Sequence, residues 1–195
     1  MVFHGGHGSG QKIAKQTGFS GYADREGFIA VYPDGIEHNW SDGRGTTKSE
    51  RLGVDDVKFV RALIEELKRT FPIDPARIYA AGVSNGGIFT HRLACEMADV
   101  FAAIGSVVGP VATNFAPRCN PNQPVSVVAI QGTADPGIPI NGGEMGGFGG
   151  RGAGGVVESA ASTMTLWAAK NGCSDAPIKE TLPVLVNAGT SVERP

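Results

Sequence analysis

The feature that most constrains this chain is a glycine-flanked serine between a strand pattern and a helix pattern. Residues 77–83 are typical of a short apolar strand, Gly82-Val83-Ser84-Asn85-Gly86-Gly87 overlaps its end, and a helical pattern begins at Ile88. Glycines around a serine permit a sharp strand-to-helix turn, because side chains there would collide with the neighbouring strand or helix. The alternative is an ordinary βα turn with a capping serine.

Other apolar runs predict an alternating strand and helix chain. Short runs rich in β-forming residues predict buried strands at 28–32, 77–83, 101–108 and 125–131, and Met1-Val2-Phe3 resembles the end of another strand. The continuous apolar character of these runs predicts a parallel sheet that is covered on both faces.

Helical patterns lie between the predicted strands. Apolar side chains recur at helical spacing over 57–71, where Asp55 favours the start and Pro72 the end, and 85–97 and 156–171 can form two more helices. Alternation of strands and helices predicts an α/β fold with crossover connections and a mostly parallel, doubly wound sheet.

Length and composition fit one globular domain spanning 1–195. The chain is 41 % hydrophobic and 18 % charged, and its formal net charge of -2 gives no reason to expect nucleic acid or an anionic membrane as a partner. The sequence has no apolar run of about 18 residues, the length that would predict a membrane span. The first residues also lack the charged and apolar regions of a signal peptide.

The setting of Ser84 predicts the nucleophile of an α/β-hydrolase fold, with its hydroxyl projecting above the sheet. The backbone N–H of Asn85 is then one predicted donor to an oxyanion. A His-Gly-Gly loop at 4–10 follows the first strand fragment and predicts the second donor, from Gly6 or His7.

Two other interpretations of the glycine loop are weaker. A phosphate-binding loop would end in Gly-Lys-Ser/Thr, whereas Gly10 is followed by Gln11-Lys12-Ile13. A metal bound by His4 and His7 would lack an evident third ligand. We therefore expect no metal and no cofactor, and we interpret the second glycine-rich stretch, 142–155, as a surface loop.

Asp135 is the predicted acid of a catalytic triad. It follows the strand at 125–131, where this fold places the carboxylate that orients a histidine. A turn-forming Asp-Pro at 135–136 is the simpler alternative.

The histidine of such a triad is the difficulty. The usual chain order is serine, acid, histidine, yet none of the four histidines follows Asp135. His91 lies two helical turns beyond Ser84, so we expect it to point away from the hydroxyl. His38 lies in a loop and stays possible as a base.

Taken together, these segments resemble the polyhydroxybutyrate depolymerase and feruloyl esterase group of secreted serine esterases, which includes carbohydrate esterase family 1. The shared segments are His4-Gly5-Gly6-His7-Gly8-Ser9-Gly10, Tyr32-Pro33-Asp34-Gly35, Trp40-Ser41-Asp42-Gly43, Val54-Asp55-Asp56-Val57, Ile73-Asp74-Pro75-Ala76-Arg77-Ile78-Tyr79, Gly82 to Gly87, Gly132-Thr133-Ala134-Asp135-Pro136 and Trp167 to Cys173.

The resemblance implies an extracellular carboxylic-ester hydrolase that acts through an acyl-enzyme, with Ser84 as nucleophile and Asp135 as acid. The implied substrates are short acyl, feruloyl or hydroxyalkanoate esters, free or linked to a polymer. The family's histidine belongs to a Gly-Gly-His-Thr-Trp-Pro-like motif beyond a segment that Thr190 to Pro195 resembles. We therefore expect the fold to be incomplete at both ends, without its first strands and its histidine segment.

Alternatives to an active esterase are a catalytically inactive fragment or binding remnant of one, or a peptidase or acyltransferase on the same scaffold.

The cysteines add one expectation. The chain has three, Cys95, Cys119 and Cys173. A Cys95–Cys119 disulfide is possible, and the resemblance implies that Cys173 pairs with a cysteine beyond Pro195.

Overall fold

Four parallel strands form the central sheet of the computed structural model, which describes residues 1–146, 154–174, 176–182 and 192–194. Their order across the sheet follows the chain. The strands are β1 (Val2–Phe3), β2 (Tyr79–Val83), β3 (Ala103–Val107) and β4 (Ser126–Ile130). The helices are α1 (Gly10–Thr17), α2 (Phe19–Glu26), α3 (Lys48–Arg51), α4 (Asp56–Thr70), α5 (Asn85–Glu96) and α6 (Ala160–Lys170). The alternation and the parallel pairing give the α/β-hydrolase fold class that was predicted.

Strands β2, β3 and β4 and helices α4, α5 and α6 confirm the predicted elements at those places. The sequence patterns missed α1, α2 and α3. Helix α1 begins within the glycine-rich loop, where local propensity is poor, and its start is set by the Ser9 hydroxyl, which accepts the N–H of Lys12 at 3.3 Å.

The predicted buried strand at 28–32 is wrong. Phe28 and Ile29 are 45 % and 48 % exposed, and no strand is assigned to this segment. One bond ties it to the sheet, from the N–H of Val2 to the carbonyl of Val31 at 2.8 Å. Because β1 has only two residues, it cannot support a longer ladder with this segment.

One face of the sheet carries the hydrophobic core. Helix α5 packs on this face against β2 and β3, and α4 and α6 add buried side chains, including Val60 and Trp167. An aromatic cluster lies at its centre, where the ring centroids of Phe3, Trp40 and Phe89 are 5.2 to 5.4 Å apart. This cluster joins β1 and α5 directly beneath the serine turn.

The prediction that both faces are covered is wrong for the described residues. On the second face, Tyr79, Val128 and Ile130 are 49 %, 63 % and 59 % exposed. Thr17 and Phe19 flank an apolar trough of about 210 Å³ there. A continuous apolar run therefore did not distinguish burial on two faces from burial on one.

Two short antiparallel pairs lie outside the main sheet. Strand β5 (Gly143–Glu144) pairs with β6 (Val156–Val157), and β7 (Glu180–Leu182) pairs with β8 (Val192–Arg194). Strand β5 lies within the predicted surface loop 142–155 and β6 directly follows it, and residues 147–153 of this loop lie outside the described residues.

The possible disulfide between Cys95 and Cys119 is formed, and it joins the end of α5 to the segment before β4. Cys173 is exposed and has a free thiol. Its predicted partner beyond Pro195 stays a prediction.

Candidate active site

Ser84 lies on a strained turn between β2 and α5. Its φ and ψ are 56° and -123°, a region that a residue with a side chain rarely adopts and that costs about 1–3 kcal/mol. Its N–H donates to the carbonyl of Val107 at 2.9 Å, so the turn is anchored to β3. Ser84 is partly buried and lies at the carboxyl edge of the sheet, in the strand-to-helix turn that the motif predicts.

The glycines of the motif are required by close backbone contacts. A Cβ on Gly82 would lie 2.3 Å from the carbonyl oxygen of Gly86. A Cβ on Gly86 would lie 2.3 Å from the carbonyl oxygen of Phe3 and 2.5 Å from that of His4. Because Gly86 has no side chain, the start of α5 packs directly against the backbone that leads from β1 into the glycine loop.

The glycine loop after β1 lies against the serine. A Cβ on Gly5 would be 3.4 Å from Ser84 Cβ and 3.9 Å from Ser84 Oγ. The structure therefore brings together the two segments that the sequence predicted to form an oxyanion site, the loop at 4–10 and the first turn of α5.

Two of the three predicted oxyanion donors have unused N–H groups. The N–H of Asn85 is in the first turn of α5, where it has no helical partner, and it has no acceptor among the described residues. The N–H of Gly6, in the glycine loop, also has no acceptor among them. The N–H of His7 instead donates to the carbonyl of His38 at 2.9 Å. This bond favours Gly6 over His7 as the donor from the loop.

Asp135 lies in the loop that follows β4, at the same edge of the sheet as Ser84. Its Oδ1 accepts the N–H groups of Gly137 and Ile138, each at 2.8 Å. The side chain is partly buried. Oδ1 is thus held by its own loop, while Oδ2 has no partner among the described residues and can accept a hydrogen bond.

His4 has a structural role. It is 1 % exposed, and its Nε2 accepts the N–H of Gly35 at 3.1 Å, so Nδ1 carries the proton and donates to the carbonyl of Gly5 at 2.8 Å. Burial lowers the pKa of His4, which keeps the ring neutral. With both ring nitrogens bonded to backbone, His4 is unavailable to a metal or as a base.

His91 is buried in α5 and faces α6. Its Nδ1 accepts the indole N–H of Trp167 at 2.9 Å, so Nε2 carries the proton; the backbone of Gly109 faces this ring, but no hydrogen bond of good geometry reaches Nε2 among the described residues. Burial lowers its pKa to about 4. The bond to Trp167 occupies the nitrogen that a base would use.

His38 lies beside the glycine loop and is exposed. Its Nδ1 is 2.9 Å from the carbonyl oxygen of Gly8, so Nδ1 donates and Nε2 keeps a free lone pair. Its backbone has a positive φ of 58°. Of the histidines considered as a base, His38 is therefore the one whose ring retains an accessible acceptor.

Sequence reasoning missed a buried strap, residues 39–44, that crosses the site. The strap accepts and donates hydrogen bonds with Asn85 of the serine turn and with the glycine loop. Within it, Asp42 pairs with Arg44 at 2.8 Å, and both side chains are almost wholly buried. Burial raises the pKa of the Asp42 carboxyl, and the Arg44 guanidinium opposes that rise. Trp40-Ser41-Asp42-Gly43 carried part of the family resemblance, but nothing in its local pattern indicates these contacts.

No cluster of three or more histidine, cysteine or acidic side chains in the described ranges is arranged to hold a metal ion. Among those same residues, no helix is long and apolar enough to cross a membrane.

Comparison with known proteins adds the family. The family model described as Esterase PHB depolymerase matches residues 1–129. "Putative esterase NocK" of Nocardia uniformis subsp. tsuyamanensis is 35 % identical over 142 residues, which cover 73 % of this chain and 41 % of that protein. "Feruloyl esterase B" of Piromyces equi is 31 % identical over 179 residues, covering 89 % of this chain and 31 % of that protein. The chain thus spans less than half the length of these relatives.

A solved thermostable esterase is 20 % identical and aligns with a TM-score of 0.40, covering 58 % of this chain and 24 % of that one.

Proposed function

The chain belongs to the esterase PHB depolymerase family, and from this premise we propose that it is a serine carboxylic-ester hydrolase that works through an acyl-enzyme. The observation that carries the proposal is the strained turn at Ser84, with the Gly5 backbone packed against its side chain. That arrangement suits a nucleophile whose attack creates an oxyanion between two backbone donors.

In the proposed reaction, Ser84 Oγ attacks the ester carbonyl carbon and a base removes the hydroxyl proton. The N–H groups of Asn85 and Gly6 donate to the oxyanion of the tetrahedral intermediate. The base then protonates the departing alcohol, which leaves an acyl-serine. Water activated by the same base releases the carboxylic acid and restores the serine.

The base is proposed to be a histidine oriented by Oδ2 of Asp135. Within the described residues the candidate is His38, whose exposed Nε2 could take the proton; its Nδ1 donates to the carbonyl of Gly8 and not to Asp135, so that carbonyl would orient it instead. A histidine beyond Pro195, as the family resemblance implies, is the alternative. Turnover by residues 1–195 that His38→Ala abolishes would favour His38, whereas turnover that needs the downstream segment and survives His38→Ala would favour the later histidine.

The substrate classes proposed are short acyl, feruloyl and hydroxyalkanoate esters. The feruloyl class is supported by the relative named feruloyl esterase B. Initial rates on p-nitrophenyl butyrate, methyl ferulate and a 3-hydroxybutyrate oligomer would rank the three. We also propose an extracellular location, which the Cys95–Cys119 disulfide supports because such bonds persist in oxidising compartments.

The proposal is tested by hydrolysis of p-nitrophenyl butyrate and by labelling with a fluorophosphonate. We expect Ser84→Ala to lose at least roughly 10³-fold in kcat and to lose the label. Ser126→Ala is the matched control, because Ser126 is exposed at the start of β4, at the end of the sheet away from Ser84. Label on another residue would contradict the assignment of the nucleophile. Absence of both turnover and label in the unmodified chain would favour the inactive fragment.

A further inference from the structure

The side chain of Asn85 is fully engaged within the fold. It is 3 % exposed, and its Oδ1 accepts the N–H of Trp40 at 2.8 Å. Its Nδ2 donates to the carbonyl of Trp40 at 3.0 Å and to Oδ2 of Asp42 at 2.6 Å. Three hydrogen bonds from one amide fix both its position and its orientation, and with them the first residue of α5.

The carboxylate of Asp42 accepts hydrogen bonds from Arg44 as well as from the amide of Asn85. Its Oδ2 receives Nε of Arg44 at 2.9 Å in addition to the amide of Asn85, and its Oδ1 receives the N–H of Arg44 at 3.2 Å. Arg44 also donates to the carbonyl of Gly154 at 2.8 Å. The guanidinium neutralises the carboxylate, so the negative charge of Asp42 would not oppose an oxyanion nearby.

The same strap also contacts the glycine loop. Trp40 Nε1 donates to the carbonyl of His4 at 3.0 Å, and Oδ1 of Asn39 lies 3.5 Å from the position that a Cβ on Gly6 would occupy. One buried segment therefore contacts the side chain of Asn85 and, in the glycine loop, His4 and Gly6. The strap thus adds hydrogen bonds to the direct packing of Gly5 against Ser84 that already brings the two donors together.

We propose that Asp42, buttressed by Arg44, is a positioning residue for ester hydrolysis: through the amide of Asn85 it holds the backbone N–H of that residue in line with the oxyanion. The inference rests on the proposed function. Asp42 touches no reacting atom. Its effect belongs to the transition state, because the oxyanion forms only after Ser84 attacks.

The test measures kcat and KM on p-nitrophenyl butyrate and inhibition by a trifluoromethyl ketone, whose adduct with serine carries an oxyanion. Asn85→Ala removes the anchoring amide and keeps the backbone N–H, and Asp42→Asn keeps the size of the side chain and removes its charge. Since a displacement of about 1 Å can cost 10²-fold, we expect kcat to fall by about 10- to 100-fold in each variant. KM should change little, and inhibition should weaken by the same factor as kcat/KM.

Thr163→Val is the matched control, because it removes a buried hydrogen bond to the N–H of Val111, at 3.1 Å, outside the strap. It should lower Tm without changing kcat or inhibition. If the unmodified protein hydrolyses the ester through Ser84, yet both strap variants keep its kcat and inhibitor affinity and lose only Tm, the inference is overturned and the proposed function stands. If Ser84→Ala retains activity, the proposed function itself fails and the inference with it. A variant that does not fold is replaced by Arg44→Lys, for which the same split between kcat and KM is expected.

Discussion

The serine side and the acid side of the candidate site are built in different ways. The serine turn, Ser84 to Gly86, is held by contacts from β1, β3 and the strap, all distant in sequence. Asp135 is held by the N–H groups of Gly137 and Ile138, two and three residues further along the chain. Tertiary packing thus preorganises the proposed oxyanion donors, whereas a local turn orients the acid. Substitutions on the serine side should therefore cost far more folding free energy than substitutions on the acid side.

The largest effect is expected at the buried ion pair of the strap. Arg44→Met leaves the carboxylate of Asp42 buried without its counter-charge, which we expect to lower the free energy of unfolding by about 3–5 kcal/mol. Arg61→Met is the control: its pair with Asp99, at 2.8 Å, has side chains that are 42 % and 49 % exposed, so a change of about 0–1 kcal/mol is expected. Urea denaturation measures both, and equal losses would break the comparison.

A second pair of variants compares glycines on the two sides. Gly86→Ala places a Cβ 2.3 Å from the carbonyl oxygen of Phe3, so the backbone must shift and we expect destabilisation of about 3 kcal/mol or more. In Gly132→Ala, beside Asp135, the nearest atom to the new Cβ is 3.9 Å away. That variant should stay within about 0.5 kcal/mol of the unmodified protein. A tolerated Gly86→Ala in thermal unfolding would show that the turn is looser than its contacts indicate.

A third prediction concerns pH and the buried side of α5. Because burial lowers the pKa of His91 from 6.5 to about 4 in the folded state, the unfolded chain binds an extra proton between these values. Stability contributed by the neutral ring is present above pH 6.5 and falls by about 3 kcal/mol as the pH is lowered to 4.

His91→Asn provides the comparison for that experiment. Its side-chain oxygen can still accept the indole N–H of Trp167, but it does not titrate. The difference in unfolding free energy between the two proteins should therefore depend on pH over this range. Parallel curves would exclude His91 as the source of the pH dependence.

The smallest effect is expected at the acid. Asp135→Ala removes two hydrogen bonds to the backbone of a partly exposed loop, so unfolding should change by about 1 kcal/mol. Ester hydrolysis should nevertheless fall steeply, because the proposed base loses its orienting partner. A large loss of stability in this variant would contradict the difference between the two sides, because it would show that tertiary contacts also hold the loop of Asp135.

The elements nearest Ser84 could be predicted because their patterns are local. A strand pattern, a glycine-flanked serine and a helix pattern are contiguous from 77 to 97, and their order alone predicts β2, the turn and α5. The place of Asp135 in the loop after β4 was predicted by the same means, and its role as the acid stays a prediction. The failure at 28–32 shows the limit of this reasoning, since a run of β-forming residues does not show whether a neighbouring strand is long enough to pair with it.

Only the tertiary structure shows which polar groups meet. Asp42 and Asn85 are 43 residues apart, and His91 and Trp167 are 76 apart, so no periodicity or motif relates them. The role of His4 depends in the same way on the N–H of Gly35, 31 residues further on. A side chain's chemistry is evident from its type, but its protonation, its burial and its partner depend on which distant segments pack around it.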